Sequence, residues 1–432
     1  MAQRLTAFTC LLSAVATLSA LLLGYTAFVG PLVILFFASL ALYCMGHRFL
    51  KSFAFTVWVF AFVAASMFYP ALFGTWFKFD LKFLIVPLIQ IITFGMGTTL
   101  SARDFERVFA MPWPVFIGIL LQFSIMPLVG YSIAMLFGFD PEIAAGVILI
   151  GSVSGGVASN VMTYLAGANV PLSVTMTACS TLLSPLMTPF LMKTLAGKLI
   201  DVDFFAMMFS IFNMIIVPIV AGLIANRILY SQKRWASKAG SLLLVSIAGV
   251  LLAVLTLSVP GGWLGALEAI KAGTILGLAL LSLIALAKVV VRVVFKGPEN
   301  WMDKALPILS MSSICLIIAI ITARSRNELL TVGFALVTAG IVHNSIGYLL
   351  GYWGARLARL DERACRTVAI EVGMQNGGMA TGIAMDVLKS TSAALAPAIF
   401  GPWMNISGSV LATWWRRKPV EGPSLSQIES EG

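Results

Sequence analysis

The chain has 432 residues, of which 59% are hydrophobic and only 11% are charged. A soluble domain carries about 25% charged residues, so this composition excludes a soluble globular protein. Apolar runs of about 20 residues recur along the whole length, which predicts an all-α polytopic membrane protein. The formal net charge of +10 is expected to reflect an asymmetry of the loops, and no nucleic-acid partner is predicted.

Fourteen apolar segments are predicted to cross the membrane. They lie at about residues 5–28, 30–46, 53–75, 82–100, 113–137, 142–166, 170–196, 204–226, 239–259, 270–290, 303–323, 329–355, 366–388 and 392–415. The first segment could be a secretory signal peptide, because Arg4 precedes its apolar core. A retained helix is preferred, because the run is longer than a usual signal core and no small-residue cleavage site follows it.

The basic residues predict the orientation of the spans. With the N-terminus inside, the inside loops hold 20 of the 28 lysines and arginines. This bias predicts an even number of spans and cytoplasmic ends, and the expected location is a bacterial inner membrane, with an organelle membrane as the alternative. The cluster of Lys233, Arg234 and Lys238 would suit anionic membrane lipid, although simple retention in the cytoplasm explains it equally well.

One carboxylate, Glu371, lies in the middle of an otherwise apolar segment. A carboxylate at membrane depth costs several kcal/mol unless a cation, a proton or a polar cavity compensates it. Glycines and amides follow it in Gly373–Gly378, and a second polar, glycine-rich stretch occurs at Gly151–Asn160. A matched pair of interrupted helices indicates the binding site of a secondary transporter. Small-residue packing faces are the alternative interpretation.

Other chemistry finds little support in the sequence. The five cysteines lie far apart, as do His47 and His343, so no transition-metal site is predicted. No Walker A motif occurs and no nucleophile–base pair is evident, so neither an ATP-driven pump nor an enzyme is expected. No cofactor is predicted.

Several stretches in the same order resemble the bile acid:sodium symporter family, and the resemblance covers about Phe55 to Lys418. The stretches that carry it are Phe94–Gly97, Gly155–Ala166, Leu183–Pro189, His343–Gly351, Glu371–Asn376 and Asn405–Ser409. Within the fourth stretch, His343 and Asn344 are interpreted as a hydrogen-bonded helix contact.

The resemblance implies a core of ten helices in two inverted repeats, whose fourth and ninth helices, here 142–166 and 366–388, are broken and cross. It divides the chain into an extra N-terminal helix pair (1–50), the first repeat with the start of the second (51–229), an inserted helix pair (230–300), the rest of the second repeat (301–418) and a cytoplasmic tail (419–432). Each added pair leaves the orientation of the core unchanged, which agrees with the distribution of basic residues.

The resemblance also implies two sodium sites that share Glu371. The first comprises Ser159, Asn160, Ser173, Thr177 and Glu371, and the second comprises Gln122, Glu371, Val372, Met374 and Gln375. Sodium prefers oxygen donors, and Val372 and Met374 would contribute backbone carbonyls. Ser173 and Thr177 are four residues apart and so share one helix face. The alternatives are hydroxyls that bond back to their own helix and, for Gln122, a simple interhelical hydrogen bond.

The substrate is expected where the broken helices cross, because half-helix N-termini carry partial positive charge and free N–H groups. The candidate residues are Val157, Asn376, Gly377, Met404 and Asn405. Relatives often have threonine in place of Val157, and some have histidine in place of Met404. These departures weaken the expectation of a bile acid and leave small carboxylates such as pantoate or pyruvate open.

The expected function is sodium-coupled symport of an organic anion, bile-acid-like or a small carboxylate, by alternating access. Sodium, the anion and membrane lipid are the expected partners. A proton-coupled transporter or exchanger, in which Glu371 titrates, is the alternative within transport. A non-transporting membrane sensor or accessory protein is the alternative from another class.

Overall fold

The computed structural model describes residues 2–47, 50–101, 106, 110–231, 233–260, 265–298, 301–418 and 420. Three of the basic residues assigned to inside loops, Arg48, Arg103 and Arg107, lie outside the described residues. The predicted tail at 419–432, apart from Val420, also lies outside them.

The described part of the chain forms seventeen α-helices. They are α1 (Ala2–Leu22), α2 (Thr26–Gly46), α3 (Ala54–Phe68), α4 (Ile85–Thr99), α5 (Pro112–Phe137), α6 (Pro141–Ser152), α7 (Ala158–Leu165), α8 (Val170–Leu195), α9 (Phe204–Ile211), α10 (Val217–Tyr230), α11 (Ala239–Ser258), α12 (Lys271–Lys288), α13 (Trp301–Arg324), α14 (Arg326–Leu357), α15 (Glu362–Gly373), α16 (Gly377–Asp386) and α17 (Thr391–Arg416). A π-helical stretch, Phe212–Ile216, joins α9 to α10, and a second, Val289–Val294, extends α12.

Each of the fourteen predicted segments corresponds to one helix or to one interrupted pair of helices. Ten helical segments among the described residues are long and apolar enough to span a membrane. The other four predicted segments are the 15-residue α3, the interrupted pairs α6–α7 and α15–α16, and α17. The prediction of a polytopic helical membrane protein is confirmed.

A small hairpin departs from a purely helical fold. Strands β1 (Thr75–Trp76) and β2 (Phe79–Asp80) pair antiparallel in the loop between α3 and α4. Phe77 and Lys78 form its turn with positive φ angles of 47° and 72°. Asp80 then accepts a hydrogen bond from the backbone N–H of Lys82 and forms an ion pair with Arg324 at the end of α13. The periodicity of the apolar segments carried no signal for such a short hairpin.

The two predicted extra helix pairs each pack on helices of the core. In the N-terminal pair, α1 packs on α2, and α2 packs on α3. In the inserted pair, α11 packs on α12, and α12 packs on α10 and α4. Leu242, Leu281 and Ile284 of the inserted pair share a buried cluster with Phe94 of α4 and Ala225 of α10. The domain boundaries themselves stay a prediction.

A buried cation fixes the end of the inserted pair to α10. Lys288 is 9% exposed, and its Nζ donates to the carbonyls of Ile228 and Leu229 at 2.6 and 2.9 Å. The last carbonyls of a helix have no partner within the helix and carry partial negative charge, so an ammonium group is well placed there.

We expect Lys288→Met to weaken this docking by about 2 kcal/mol, because it removes two charge-assisted hydrogen bonds and leaves two carbonyls without their donor. The measurement is the thermal unfolding midpoint of the purified protein, together with the rate of protease cleavage between α10 and α11. Lys233→Met is the matched control, since Lys233 is exposed in the loop between α10 and α11. Equal midpoints and cleavage rates for the two variants would contradict the docking role.

Candidate functional site

Two helices are interrupted, and their breaks pair with each other. The first break separates α6 from α7, and the second separates α15 from α16. The N–H of Gly156 donates to the carbonyl of Met374 at 2.8 Å, and the N–H of Asn376 donates to the carbonyl of Ser154 at 2.9 Å. Each break therefore satisfies backbone groups of the other, as irregular backbone at membrane depth requires. The predicted pair of broken helices that meet at their breaks is observed.

Two glycines permit this close approach. A Cβ atom on Gly156 would lie 2.7 Å from the carbonyl oxygen of Gln375, and a Cβ atom on Gly155 would lie 2.9 Å from Oε2 of Glu371. Both distances are shorter than real Cβ contacts. Gly155 and Gly156 are thus required by the space at the breaks, whereas Gly151, whose Cβ atom would lie 2.3 Å from the carbonyl oxygen of Met126, fits the close helix packing of the alternative interpretation.

Glu371 lies beside the pair of breaks and is 1% exposed. Among the described residues it is the only buried acidic side chain. Its Oε1 accepts hydrogen bonds from the hydroxyls of Ser159 and Ser173, and its Oε2 accepts one from Thr177 at 2.9 Å. The hydroxyl donors come from α7 and α8, so three separate helices converge on one carboxylate.

Asn160 completes this group. Its Oδ1 accepts from Ser173 at 2.8 Å and from Thr177 at 3.5 Å. All five residues predicted for the first sodium site therefore lie in one connected cluster. The alternative in which Ser173 and Thr177 bond back to their own helix is not what the structure shows, because both hydroxyls point to Glu371 and Asn160.

A contact one helical turn away sets the register between α8 and α15. Asn169 caps α8 by accepting the N–H of Leu172 at 3.1 Å. The backbone N–H of Asn169 donates to the hydroxyl of Thr367 at 2.9 Å. Asn169 precedes Ser173 by four residues, and Thr367 precedes Glu371 by four. One helical turn after the contact between Asn169 and Thr367, the same two helices therefore meet again through Ser173 and Glu371.

No basic side chain pairs with Glu371 within the described part of the chain. The buried cations there are Lys288 of α12, which donates to carbonyls of α10, and Arg366, whose guanidinium contacts Glu362 and the carbonyls of Trp415 and Lys418. A buried carboxylate without a cationic neighbour is stable only when a proton or a small cation compensates its charge. The cluster has the oxygen donors that a hard cation needs.

Three of the five residues predicted for the second site, Gln122, Val372 and Gln375, also meet. Nε2 of Gln122 donates to Oε1 of Gln375 at 2.6 Å and to the carbonyl of Val153 at 3.2 Å. Nε2 of Gln375 donates to the carbonyl of Val372 at 2.7 Å. The interhelical hydrogen bond that was the alternative for Gln122 is thus present. The Oε1 atom of Gln122 is buried and has no hydrogen-bond partner in the described residues, so this oxygen remains available as a ligand. The hydrogen bonds of Glu371 all go to the first cluster.

A cavity of about 170 Å³ adjoins the crossing. All five residues predicted to bind substrate line it, namely Val157, Asn376, Gly377, Met404 and Asn405. The N-termini of α7 and α16 both reach this cavity, and no charged side chain lines it. Oδ1 of Asn376 caps α16 by accepting the N–H of Met379 at 3.0 Å, whereas the amide of Asn405 donates to the carbonyl of Gly401 at 3.0 Å.

Sequence reasoning missed the opposite wall of the cavity. Thr93 and Ile89 of α4 and Ile314, Ile317 and Ile318 of α13 line it. The sequence singled out none of these side chains for the cavity, and only the packing of α4 and α13 against the crossing identifies them.

A brace behind the second break was only partly expected. Nδ2 of Asn344 donates to the carbonyl of Gly373 at 2.6 Å, which confirms the predicted helix contact at His343–Asn344. Nε2 of His343 lies 3.3 Å from the carbonyl of Met126. Ser407, which was not singled out for this role, donates to Oδ1 of Asn344.

We expect Gly156→Ala to destabilise the protein by about 1–3 kcal/mol, because the new methyl group overpacks against the carbonyl of Gln375 and forces the breaks apart. The readout is the thermal unfolding midpoint. Gly378→Ala is the control, since its Cβ atom would meet only Oδ1 of Asn376, at an ordinary 3.6 Å. An equal midpoint for the two variants would show that the close approach is not required.

Comparisons with known proteins identify relatives of this chain. Residues 86–263 match the model of the sodium bile acid symporter family. The uncharacterized sodium-dependent transporter YocS of Bacillus subtilis is 34% identical over 364 residues, which cover 84% of this chain and 91% of that protein. The rabbit ileal sodium/bile acid cotransporter is 29% identical over 68% of this chain and 67% of its own length. The probable chloroplastic sodium/metabolite cotransporter BASS1 of Arabidopsis thaliana is 28% identical over 76% of this chain and 66% of its own. The chain is therefore an integral membrane protein of the sodium bile acid symporter family, a family of transporters and not of enzymes.

Proposed function

We propose that the protein couples the entry of sodium to the symport of a small organic monoanion by alternating access. The single observation that carries the proposal is the buried Glu371, surrounded by hydroxyl and amide oxygens where two broken helices meet beside a cavity. Its relatives are named for sodium dependence, which supports sodium as the coupling cation. No other cofactor is part of the proposal. The proposed location is a bacterial inner membrane, with both termini in the cytoplasm.

Sodium binding is supported by the types of donor in the cluster. Hydroxyls, amide oxygens and one carboxylate are the oxygen ligands that a hard cation takes, and imidazole and thiolate ligands are absent from the cluster. In the first site, sodium would neutralise Glu371 among Ser159, Asn160, Ser173 and Thr177. In the second, the unused oxygen of Gln122 and the backbone carbonyls at the second break would provide ligands. The ion of the first site would join α7 and α8 to α15, and the ion of the second site would join α5 to the second break, because their ligands come from these elements.

A small carboxylate is favoured as the cargo. The cavity of about 170 Å³ is below the 300–1,000 Å³ typical of pockets for drug-sized ligands, so it suits a compact anion better than a sterol. The half-helix N-termini at Val157–Ala158 and Asn376–Gly377 would receive the carboxylate through backbone N–H groups. The isoleucines of α13 would contact its carbon skeleton. Because no lysine or arginine lines the cavity, sodium would supply the positive charge that holds the anion.

Alternating access is supported by the position of the cavity between two groups of helices. Its walls come from α3, α4 and α13 on one side and from the broken helices and α17 on the other. Rocking of these groups, which the predicted inverted repeat would make symmetric, would open the cavity to each side in turn. Two sodium ions with one monoanion would carry one net charge inward, worth about 2.3 kcal/mol per 100 mV.

We expect Glu371→Gln to abolish sodium-dependent uptake while the protein stays folded. Loss of the carboxylate removes the partner of the buried cation, which is worth about 3 kcal/mol or more, so uptake at fixed sodium should fall roughly 100-fold. The measurement is uptake of radiolabelled pyruvate and pantoate into proteoliposomes, with gel filtration as the folding check. Asp201→Asn is the control, because Asp201 is an exposed carboxylate outside the site. Full sodium-dependent uptake by Glu371→Gln would refute the cation site.

Thr177→Val separates sodium coupling from proton coupling. The change keeps the shape of the side chain but removes one oxygen from the cluster, so the sodium concentration for half-maximal uptake should rise about tenfold, equivalent to about 1.4 kcal/mol. A site that binds only a proton at Glu371 does not need that oxygen. If wild-type uptake follows a pH gradient and ignores sodium, the proton-coupled alternative is correct and this proposal fails.

A further inference from the structure

A second cavity, of about 480 Å³, lies between α14 and α17. None of its lining residues belongs to the two breaks or to the cation cluster. Five of its eleven lining residues are aromatic, namely Tyr348, Tyr352, Trp353, Trp414 and Trp415. The volume falls within the range of ligand cavities, so this is a space large enough to hold part of an amphiphile.

The cavity is accessible from the lipid side of the protein. Leu349, Trp353 and Trp414, which line it, are 57%, 55% and 50% exposed. In a chain that spans a membrane, apolar side chains as exposed as these contact lipid. Tryptophans anchored at the edge of the hydrocarbon layer are common, but anchoring alone does not account for a cavity of about 480 Å³ between them.

Charged side chains also line the cavity. They are Arg366, Lys418 and Glu362. Nε of Arg366 pairs with Glu362 at 2.8 Å, and Arg356 lies 3.9 Å from the same carboxylate, so the single negative charge is outweighed by three positive ones. Nζ of Lys418 lies over the ring of Trp414 at 4.4 Å and pairs with no carboxylate in the described part of the chain. An anionic group fits this charged part of the cavity, and apolar chains fit the aromatic interior.

We propose that this cavity binds an anionic phospholipid from the membrane leaflet nearest to Arg366 and Lys418. Its phosphate contacts the exposed Lys418, the buried Arg366 adds positive charge nearby, and part of one acyl chain lies against the tyrosine and tryptophan walls. Basic residues near the membrane surface attract anionic lipids in general. This site adds an aromatic cavity to that attraction, which makes the binding local and saturable.

A chain of hydrogen bonds connects the cavity to the second break. The hydroxyl of Tyr348 lies 3.2 Å from that of Ser407, Ser407 donates to Asn344, and Asn344 donates to the carbonyl of Gly373 at 2.6 Å. Gly373 lies two residues after Glu371. A lipid that packs against Tyr348 would therefore favour the braced form of the break, and by linkage it would raise the affinity for sodium. This connection rests on the proposed sodium site.

The binding test uses the purified full chain in detergent without sodium. Thermal unfolding is followed with dioleoyl-phosphatidylglycerol, with dioleoyl-phosphatidylcholine or with soluble glycerol phosphate at equal concentrations. Phosphatidylglycerol should raise the midpoint by about 2 °C more than phosphatidylcholine, and glycerol phosphate should have no effect. A glycerol phosphate effect as large as that of the lipid would overturn the proposal, because the headgroup alone would then suffice.

Three variants locate the lipid. Ser345→Trp fills the cavity from an exposed position and keeps every charge, so the excess stabilisation by phosphatidylglycerol should disappear. Lys418→Gln should reduce the excess by at least half. Lys304→Gln removes an exposed lysine of α13 and should leave the excess intact. An unchanged excess in Ser345→Trp, or equal losses in the two lysine variants, would reduce the effect to general surface attraction and overturn the site.

The oligomeric state excludes a competing occupant. Light scattering of the wild type and of Ser345→Trp in the same detergent should give the same mass. If the wild type is a dimer and Ser345→Trp is a monomer, a second copy of the chain covers the cavity and the lipid proposal is wrong.

Tyr348→Phe tests the connection to the break. The phenyl ring still fills the wall, so the phosphatidylglycerol excess without sodium should persist. In the wild type, phosphatidylglycerol should lower the sodium concentration for half-maximal stabilisation at least threefold, and this shift should vanish in Tyr348→Phe. Its persistence would contradict the connection. A wild type that sodium fails to stabilise would count against the proposed function, while the lipid excess measured without sodium still decides the site.

Discussion

The site depends on the cost of holding a carboxylate inside the membrane. Glu371 is buried beside the second break and receives three hydroxyl hydrogen bonds from α7 and α8. Those bonds reduce the desolvation cost but bring no positive charge. The charge of this polar cluster is therefore balanced only when a small cation or a proton binds to it. This requirement fixes which helices must approach each other and how closely.

The approach is possible because each break supplies the hydrogen bonds that the other lacks. Two backbone hydrogen bonds join Ser154 and Gly156 to Asn376 and Met374, and a side chain at Gly156 would meet the carbonyl of Gln375 and prevent them. The same interruption turns two half-helix N-termini toward one cavity. The cation cluster and the anion cavity thus both result from the pairing of the two helix breaks. This pairing gives a physical basis for coupling, since ligands of the proposed ion lie on the helices that form the walls of the cavity.

The two extra helix pairs lie away from the paired helix breaks. The inserted pair packs on α10 and α4 through an apolar cluster and through Lys288, and the N-terminal pair packs on α3. Both pairs extend the side formed by α3, α4, α10 and α13. The cavity between α14 and α17 lies on the opposite group of helices, where the core itself meets the lipid and where a brace through Asn344 and Ser407 holds the carbonyl of Gly373. The extra helices thus pack on the group formed by α3, α4, α10 and α13, while the group that contains α14 and α17 contacts the membrane lipid directly.

Much of the fold could be predicted from the sequence, because apolar segments long enough to cross a bilayer must be helices when no water can satisfy their backbone. The order of the fourteen segments, the two interruptions and the cost of Glu371 all follow from that rule. The short hairpin at Thr75–Asp80 could not be predicted, since four paired residues leave no periodicity.

The residue types around Glu371 also pointed to an oxygen-lined cation site, because a buried charge demands a partner wherever it lies along the chain. Which partner each group takes was decided only by the tertiary structure. Ser173 had two equally plausible acceptors, its own helix or a distant carboxylate, and the contact between Asn169 and Thr367 places the carboxylate within reach. The isoleucines of α13 and the aromatic cavity beside α17 carry no sequence signal at all. Apolar side chains that line a cavity and those that face lipid are chemically the same, and only the packing of the helices distinguishes them.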